Sequence, residues 1–437
     1  MIQGIEKSRN NCALQGAIST VMEIEGVVPI IHSTAGCTIQ QTIGNKVSRC
    51  SGLSVSATNI IEKQVIFGGG SRLREQIKNT VKVIEGELYV IISGCTPELV
   101  GDDVITMTKE AREQGEAAVY FKAPGFKGRG HVGYEGVVNA IISQLPLVKT
   151  MDTEKQADLI NLFGIIPNQD IHWRGDLVEI KRVLEGIGLR VNTLFGHRQG
   201  IESWTKISAA ALNIVFSPWG SSIAVNLEKE YKTPFLTLKS IPVGAKNTSD
   251  FLVNVAELVG ISSAVVERFV LAEKLREEYY IENLWKLYVD YDFQKTFGII
   301  GDAGTVYGIH DFLSETFGLI PVVKVFTDPL RDENEILEEN EYRTEDLNEI
   351  QKIIKSYSVE LLLGSSLEKT LADELSIPLQ VISFPESNSV ILNKSYAGFR
   401  GALQLLEDLS TILLNSTRAQ QLQLRADIKS LVRSSEK

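Results

Sequence analysis

His32-Ser33-Thr34-Ala35-Gly36-Cys37, entered from the apolar pair Ile30-Ile31, closes a hydrophobic run with small residues and a thiol. Ala35 and Gly36 add almost no side chain, so backbone beside the sulfur can come close to something bulky. Working outward, Val27 to Ile31 reads as a short buried strand. The stretch Ala13 to Glu23 before it reads as a helix, with Gly26 as its stop signal. Cys12 stands at the start of that helix, in Asn11-Cys12-Ala13, so two thiols flank one helix-strand unit.

A third thiol sits in a similar setting. Glu87 to Ser93 is a largely apolar run of the buried parallel-strand type, and it leads directly to Gly94-Cys95-Thr96-Pro97. In open α/β sheets, ligands bind at the carboxyl ends of strands. Cys12, Cys37 and Cys95 can therefore each turn a thiolate into one shared space. Cys50, in the polar, serine-rich stretch Asn45 to Ser56, has no small-residue turn beside a strand end and reads as a non-ligand.

The rest of the composition bounds the protein class. A chain of 437 residues exceeds what one growing core supports, so several domains are expected. A net charge of -11 and the lack of a basic stripe argue against nucleic acid and anionic membranes as partners. The longest apolar runs are strand length, and Met1 to Asn11 has no apolar targeting core, so a cytoplasmic, non-membrane protein is expected. All 4 cysteines fall in the first quarter of the chain, too few and too clustered for a disulfide framework. Composition alone would read them as small buried hydrophobes.

Strand and helix signals alternate along the whole length. Val65-Ile66-Phe67-Gly68-Gly69-Gly70 precedes a helix over Ser71 to Ile84, where Ser71 reads as N-cap and the glycines as a tight turn rather than a nucleotide loop. Gly101-Asp102-Asp103 caps a helix over Val104 to Glu113. A strand at Ala118 to Phe121 leads into a glycine-rich loop, Ala123 to Tyr134, carrying Lys127, Arg129 and His131, then a helix from Glu135 to Ser143. After Leu147 to Lys155 the rhythm restarts, with strands at Leu159 to Ile165, Arg190 to Leu194 and Asn213 to Phe216. One long helical stretch is expected over Ser249 to Tyr288. A third unit follows, with strands at Phe297 to Gly301, Val323 to Phe326 and Val359 to Gly364, and helices Phe399 to Leu414 and Ala419 to Val432 close the chain. This alternation predicts an α/β protein of three Rossmann-like domains, 1-150, 151-290 and 291-437, with mainly parallel sheets flanked by helices.

The motifs resemble those of nitrogenase component 1 subunits of the β type. The carriers are N-C-A-L-Q-G-A at Asn11 to Ala17, H-S-T-A-G-C at His32 to Cys37, V-I-F-G-G at Val65 to Gly69, and S-G-C-x5-G-D-D at Ser93 to Asp103. The spacing Cys-x24-Cys-x57-Cys fits the same family. So do Phe216 to Trp219, Ile241 to Gly244, Phe297 to Asp302 and Tyr396 to Ala402. The resemblance spans nearly the whole chain.

The resemblance implies that Cys12, Cys37 and Cys95 ligate an iron-sulfur cluster at an interface, either a P-cluster-like [8Fe-7S] group or a [4Fe-4S] cluster. Three thiolates leave irons of any cubane or larger cluster unsatisfied, so the remaining ligands come from a second chain. The family's partner is an α-type subunit in an α2β2 heterotetramer, and a separate ATP-dependent iron-sulfur reductase supplies electrons. The β-type subunit relays them to a metal cofactor on the α-type partner, and Phe67 resembles an aromatic near the reductase docking surface.

Two departures are visible. Pro124-Gly125-Phe126 stands where family β-subunits often carry a serine that joins the oxidised cluster. No cysteine follows Cys95 and no histidine occurs in Ser395 to Ala402, so the partner's cofactor has no evident ligands here. The alternatives to an electron-transfer subunit of a nitrogenase-like reductase are a cofactor-assembly scaffold subunit, a related reductase of tetrapyrroles or small sulfur compounds, and a metal-free Rossmann-like binding protein.

Overall fold

The computed structural model describes residues 8–44, 55–282, 284–329 and 336–435, with side chains described except at 40–44 and from 417 onward. Cys50 and most of its loop lie outside the described residues.

Three parallel sheets follow one another along the chain. The first contains β1 (Val27–His32), β2 (Ser56–Ala57), β3 (Leu88–Ser93) and β4 (Ala118–Lys122), in the order β2-β1-β3-β4. The second contains β5 (Gln156–Phe163), β6 (Arg190–Asn192), β7 (Ala210–Val215) and β8 (Phe235–Thr237), in the order β6-β5-β7-β8. The third contains β9 (Thr296–Gly301), β10 (Ile320–Phe326), β11 (Glu341–Arg343), β12 (Leu361–Gly364) and β13 (Leu379–Val381), in the order β11-β10-β9-β12-β13. Every pairing between these strands is parallel, which requires a crossover between neighbours and explains the alternation of helix and strand signals.

Alternation along each strand splits the core. In the first sheet Ile30 and Ile91 face the outer helices through Leu73, Ile77, Val104 and Met107. Their neighbours Ile31, Val90 and Ile92 face inward, into a core that continues through Ile160 and Ile214 to Phe297 and Leu361. Leu406, Leu409 and Leu413 of the last helix belong to this same core, so the three units share one interior. Among the described residues no helix is long and apolar enough to cross a membrane.

Among the described residues the helices of the first unit are α1 (Ala13–Val21), α2 (Ala35–Gly44), α3 (Glu62–Phe67), α4 (Gly70–Val83), α5 (Cys95–Val100), α6 (Val104–Glu113) and α7 (Gly130–Gln144). α1 crosses α7 almost backbone to backbone, since a Cβ on Gly16 would lie 2.0 Å from the Gly130 carbonyl oxygen. That contact fixes the amino end of α1 against the amino end of α7.

Several sequence expectations need correction. Ser71 is not the N-cap; α4 starts one residue earlier and its cap position is Gly69. The second half of the glycine-rich loop is already helical, because α7 begins at Gly130. The stretch Ser249 to Tyr288 is three helices, Gly244–Val259, Ser263–Ile281 and Leu284–Asp290, the first stopped by Gly260 at φ +76°. The last two expected helices are one, Gly398–Ser435.

Candidate metal-cluster site

The carboxyl ends of β1, β3 and β4 lie side by side, because His32 pairs with Ser93 and Ser93 with Lys122. Cys37 follows β1 by one turn, Cys95 follows β3 by one residue of linker, and Gly125 follows β4. Cys12 reaches the same edge from another direction. It pairs with Arg129 in an antiparallel bridge, while the Ala13 amide donates to the Gly128 carbonyl at 3.0 Å.

Each thiol sits at a helix start. Cys12 is the N-cap of α1, Cys37 lies in the first turn of α2, and Cys95 is the first residue of α5. Helix amino ends present N–H groups that have no partner inside the helix. All three cysteines are half-buried and free.

The structure brings two of the three together. The Gly125 amide donates to the Cys95 sulfur at 3.0 Å. A Cβ at Gly125 would lie 3.4 Å from the Cys95 sulfur and 3.5 Å from the Cys12 sulfur. The Cys37 sulfur receives a long hydrogen bond from the Thr34 hydroxyl at 3.8 Å. Among the described residues no three histidine, cysteine or carboxylate side chains form a set that holds a metal ion. Among the described residues the thiols do not close a metal site within this chain.

Among the described residues nothing makes use of the smallness of Gly36. Ala35 and Gly36 are exposed, and a Cβ at Gly36 would meet nothing within 4 Å. Ile39, Ile66, Phe67, Leu99 and Phe126 are exposed as well, Phe67 by 81%.

Behind the sulfurs, a polar latch ties three loops. The fully buried His32 places Nε2 3.0 Å from Asp102 Oδ2 and Nδ1 3.1 Å from the Thr58 hydroxyl. Asp102 also accepts from the Gly69 amide at 2.6 Å. Burial pushes the His32 pKa down, and the Asp102 charge opposes that shift. Sequence reasoning read G-D-D only as a cap. Asp103 does cap α6, accepting from the Thr106 amide at 3.0 Å, but Asp102 belongs to the latch. The glycine in the Gly68-Gly69-Gly70 run that faces the latch is explained too, since a Cβ on Gly69 would lie 2.4 Å from Asp102 Oδ2.

Comparison with known proteins identifies the family. The family described as nitrogenase component 1 type oxidoreductase matches residues 12–414. A nitrogenase molybdenum-iron protein beta chain of Methanococcus maripaludis is 25% identical, covering 92% of this chain and 93% of its own. A nitrogenase iron-molybdenum cofactor biosynthesis protein NifE of Clostridium pasteurianum is 26% identical, covering 85% of this chain and 81% of its own. The solved structure entitled "Nitrogenase Cp1 at pH 6.5" shares the fold, with a TM-score of 0.77, 21% identity and coverage of 95% of this chain and 94% of that one. The chain belongs to the nitrogenase component 1 type oxidoreductases, as a β-like oxidoreductase subunit.

Proposed function

We propose that this chain is the β-type subunit of a nitrogenase or nitrogenase-like reductase, and that Cys12, Cys37 and Cys95 hold one half of an interfacial iron-sulfur cluster. The cluster is of the P-cluster type, [8Fe-7S], or a [4Fe-4S] group, and an α-type partner in an α2β2 assembly holds the other half. When bound, such a cluster supplies one-electron transfer; the chain's own part is to hold the thiolates, shield them and present the docking face. Electrons enter from an ATP-dependent iron-sulfur reductase and leave to a metal cofactor on the partner. The division 1-150, 151-290 and 291-437 assigns cluster binding to the first domain, in a cytoplasmic protein.

The observation that carries this reading is the placement of three half-buried thiols at three helix starts, two of them following neighbouring strands of the first sheet. Cys37→Ala tests it: iron in the purified heteromer falls and the heteromer loosens, whereas unchanged iron content rejects the assignment. A second reading, a subunit of a cofactor-assembly scaffold, is supported by the likeness to a cofactor biosynthesis protein. The partner's sequence separates the two, because a reductase partner carries a cysteine and a histidine for its own metal cofactor.

A further inference from the structure

The segment just before Cys12 is gripped along its length by the third sheet. Ser8 forms an antiparallel bridge with Asp346, and its hydroxyl donates to Glu345 Oε2 at 3.0 Å. Arg9 donates through Nη2 to both carboxylate oxygens of Glu368, at 3.1 and 2.9 Å, and to the Ser365 hydroxyl at 2.6 Å. The side chains of this ion pair are 1% and 0% exposed. Asn10 donates to the Thr327 carbonyl at 2.7 Å, and the Asn11 carbonyl accepts from the Gly130 amide at 2.8 Å. Thr327, Glu345 and Ser365 each stand just beyond the carboxyl end of a strand, β10, β11 and β12 respectively.

The flank is tied in the same way. Arg129, which bridges Cys12, donates to Glu345 Oε1 at 2.6 Å, so one carboxylate holds both Ser8 and the bridge partner of the thiol. The bonds of Arg9, Asn10 and Asn11 act on Cys12 by fixing the backbone that carries it.

From this we infer that residues 8–11 form a strap by which the third sheet sets the position of Cys12, with Arg9 as its anchor and positioning residue. The inference rests on the reading of Cys12 as a cluster ligand only for its consequence, not for the strap itself. A buried guanidinium-carboxylate pair gives a fixed geometry, because losing one partner strands the other charge out of water. The strap couples a cysteine of the first unit to the loops of the third.

The test uses the heteromer purified without its cluster, with each cysteine's alkylation by N-ethylmaleimide timed by peptide mass spectrometry. Arg9→Gln releases the strap by local opening, so Cys12 reacts about tenfold faster while Cys95 stays within about twofold, and Arg9→Lys restores most of the protection. Glu345→Gln loosens the same strap without stranding the buried pair, and accelerates Cys12 selectively by about threefold. In the loaded heteromer both variants hold less iron than the parent. An unchanged Cys12 rate in folded Arg9→Gln and Glu345→Gln, or equal acceleration of Cys12 and Cys95, overturns the strap. Selective release of Cys12 with full iron retention upholds the strap and removes Cys12 from the ligand set.

Discussion

Gly125 donates its amide to the sulfur of Cys95 at 3.0 Å, and has no side chain where one would stand 3.0 Å from the Cβ of Cys12. One residue thus spaces two thiols and hydrogen-bonds one of them. Gly125→Ala fills that gap at a cost of about 1–3 kcal/mol if the neighbours shift to accept it. The expected outcome is a heteromer that folds, melts a few degrees lower by calorimetry, and binds less than half the parent's iron. Normal iron loading in this variant would mean that the Cys12–Gly125–Cys95 spacing does not matter.

The latch behind the sulfurs is tested by coupling. Asp102→Ala leaves the buried His32 Nε2 and the Gly69 amide each without its partner, a loss of roughly 2–6 kcal/mol in denaturant unfolding, since each orphaned group costs about 1–3 kcal/mol. Gly69→Ala drives a Cβ into the Asp102 carboxylate, whose oxygen lies 2.4 Å from that position. In the double variant the carboxylate is gone, so its loss of stability is smaller than the sum of the two single losses. Strict additivity would contradict the contact.

Acid-base behaviour gives an independent check on the interior. Burial pushes the Asp170 carboxyl up to about 8, helped by the Asp302 charge and opposed by the Ile166 amide. Its unfolded value is near 4. Between those values the folded chain keeps a proton that the unfolded chain has released, so this group removes stability as pH rises from about 4 to about 8. Asp170→Asn carries no such proton. Its melting temperature, relative to the parent's, rises across that range, and parallel curves for the two proteins would refute the buried neutral carboxyl.

The exposed aromatic on α3 makes a prediction about association. Phe67 touches little of its own chain, so Phe67→Ala leaves the melting temperature and the iron content of the heteromer near the parent's. Under the proposed reading it weakens docking of the reductase by about tenfold, as removal of an aromatic anchor does. Equal reductase affinity by titration would place the docking surface elsewhere.

What could be read in advance, and what could not, follows from the range of the interactions. The strands Val27–His32, Leu88–Ser93 and Thr296–Gly301 were legible because a continuous apolar run between turn residues is a local signal. The three thiols were legible for the same reason, each being placed by its own strand-end or helix-start pattern. The break at Gly260 carried a local signal too, a glycine at a helix end, but the strong periodicity on both sides hid it. Gly125 beside Cys12 and Cys95, Asp102 on His32, and Arg9 on Glu368 were not legible. These contacts join residues 30 to 359 positions apart, and only the stacking of strand ends brings them together.

The central claim is that this chain contributes three thiolates to a metal cluster completed by a partner. The most direct measurement is iron quantification and EPR, in reduced and oxidised forms, on the anaerobically co-purified heteromer of the parent and of Cys37→Ala and Cys95→Ala. The account predicts an iron-sulfur signal in the parent that either substitution strongly diminishes. A parent without iron, or substitutions that leave iron and spectrum unchanged, would contradict it.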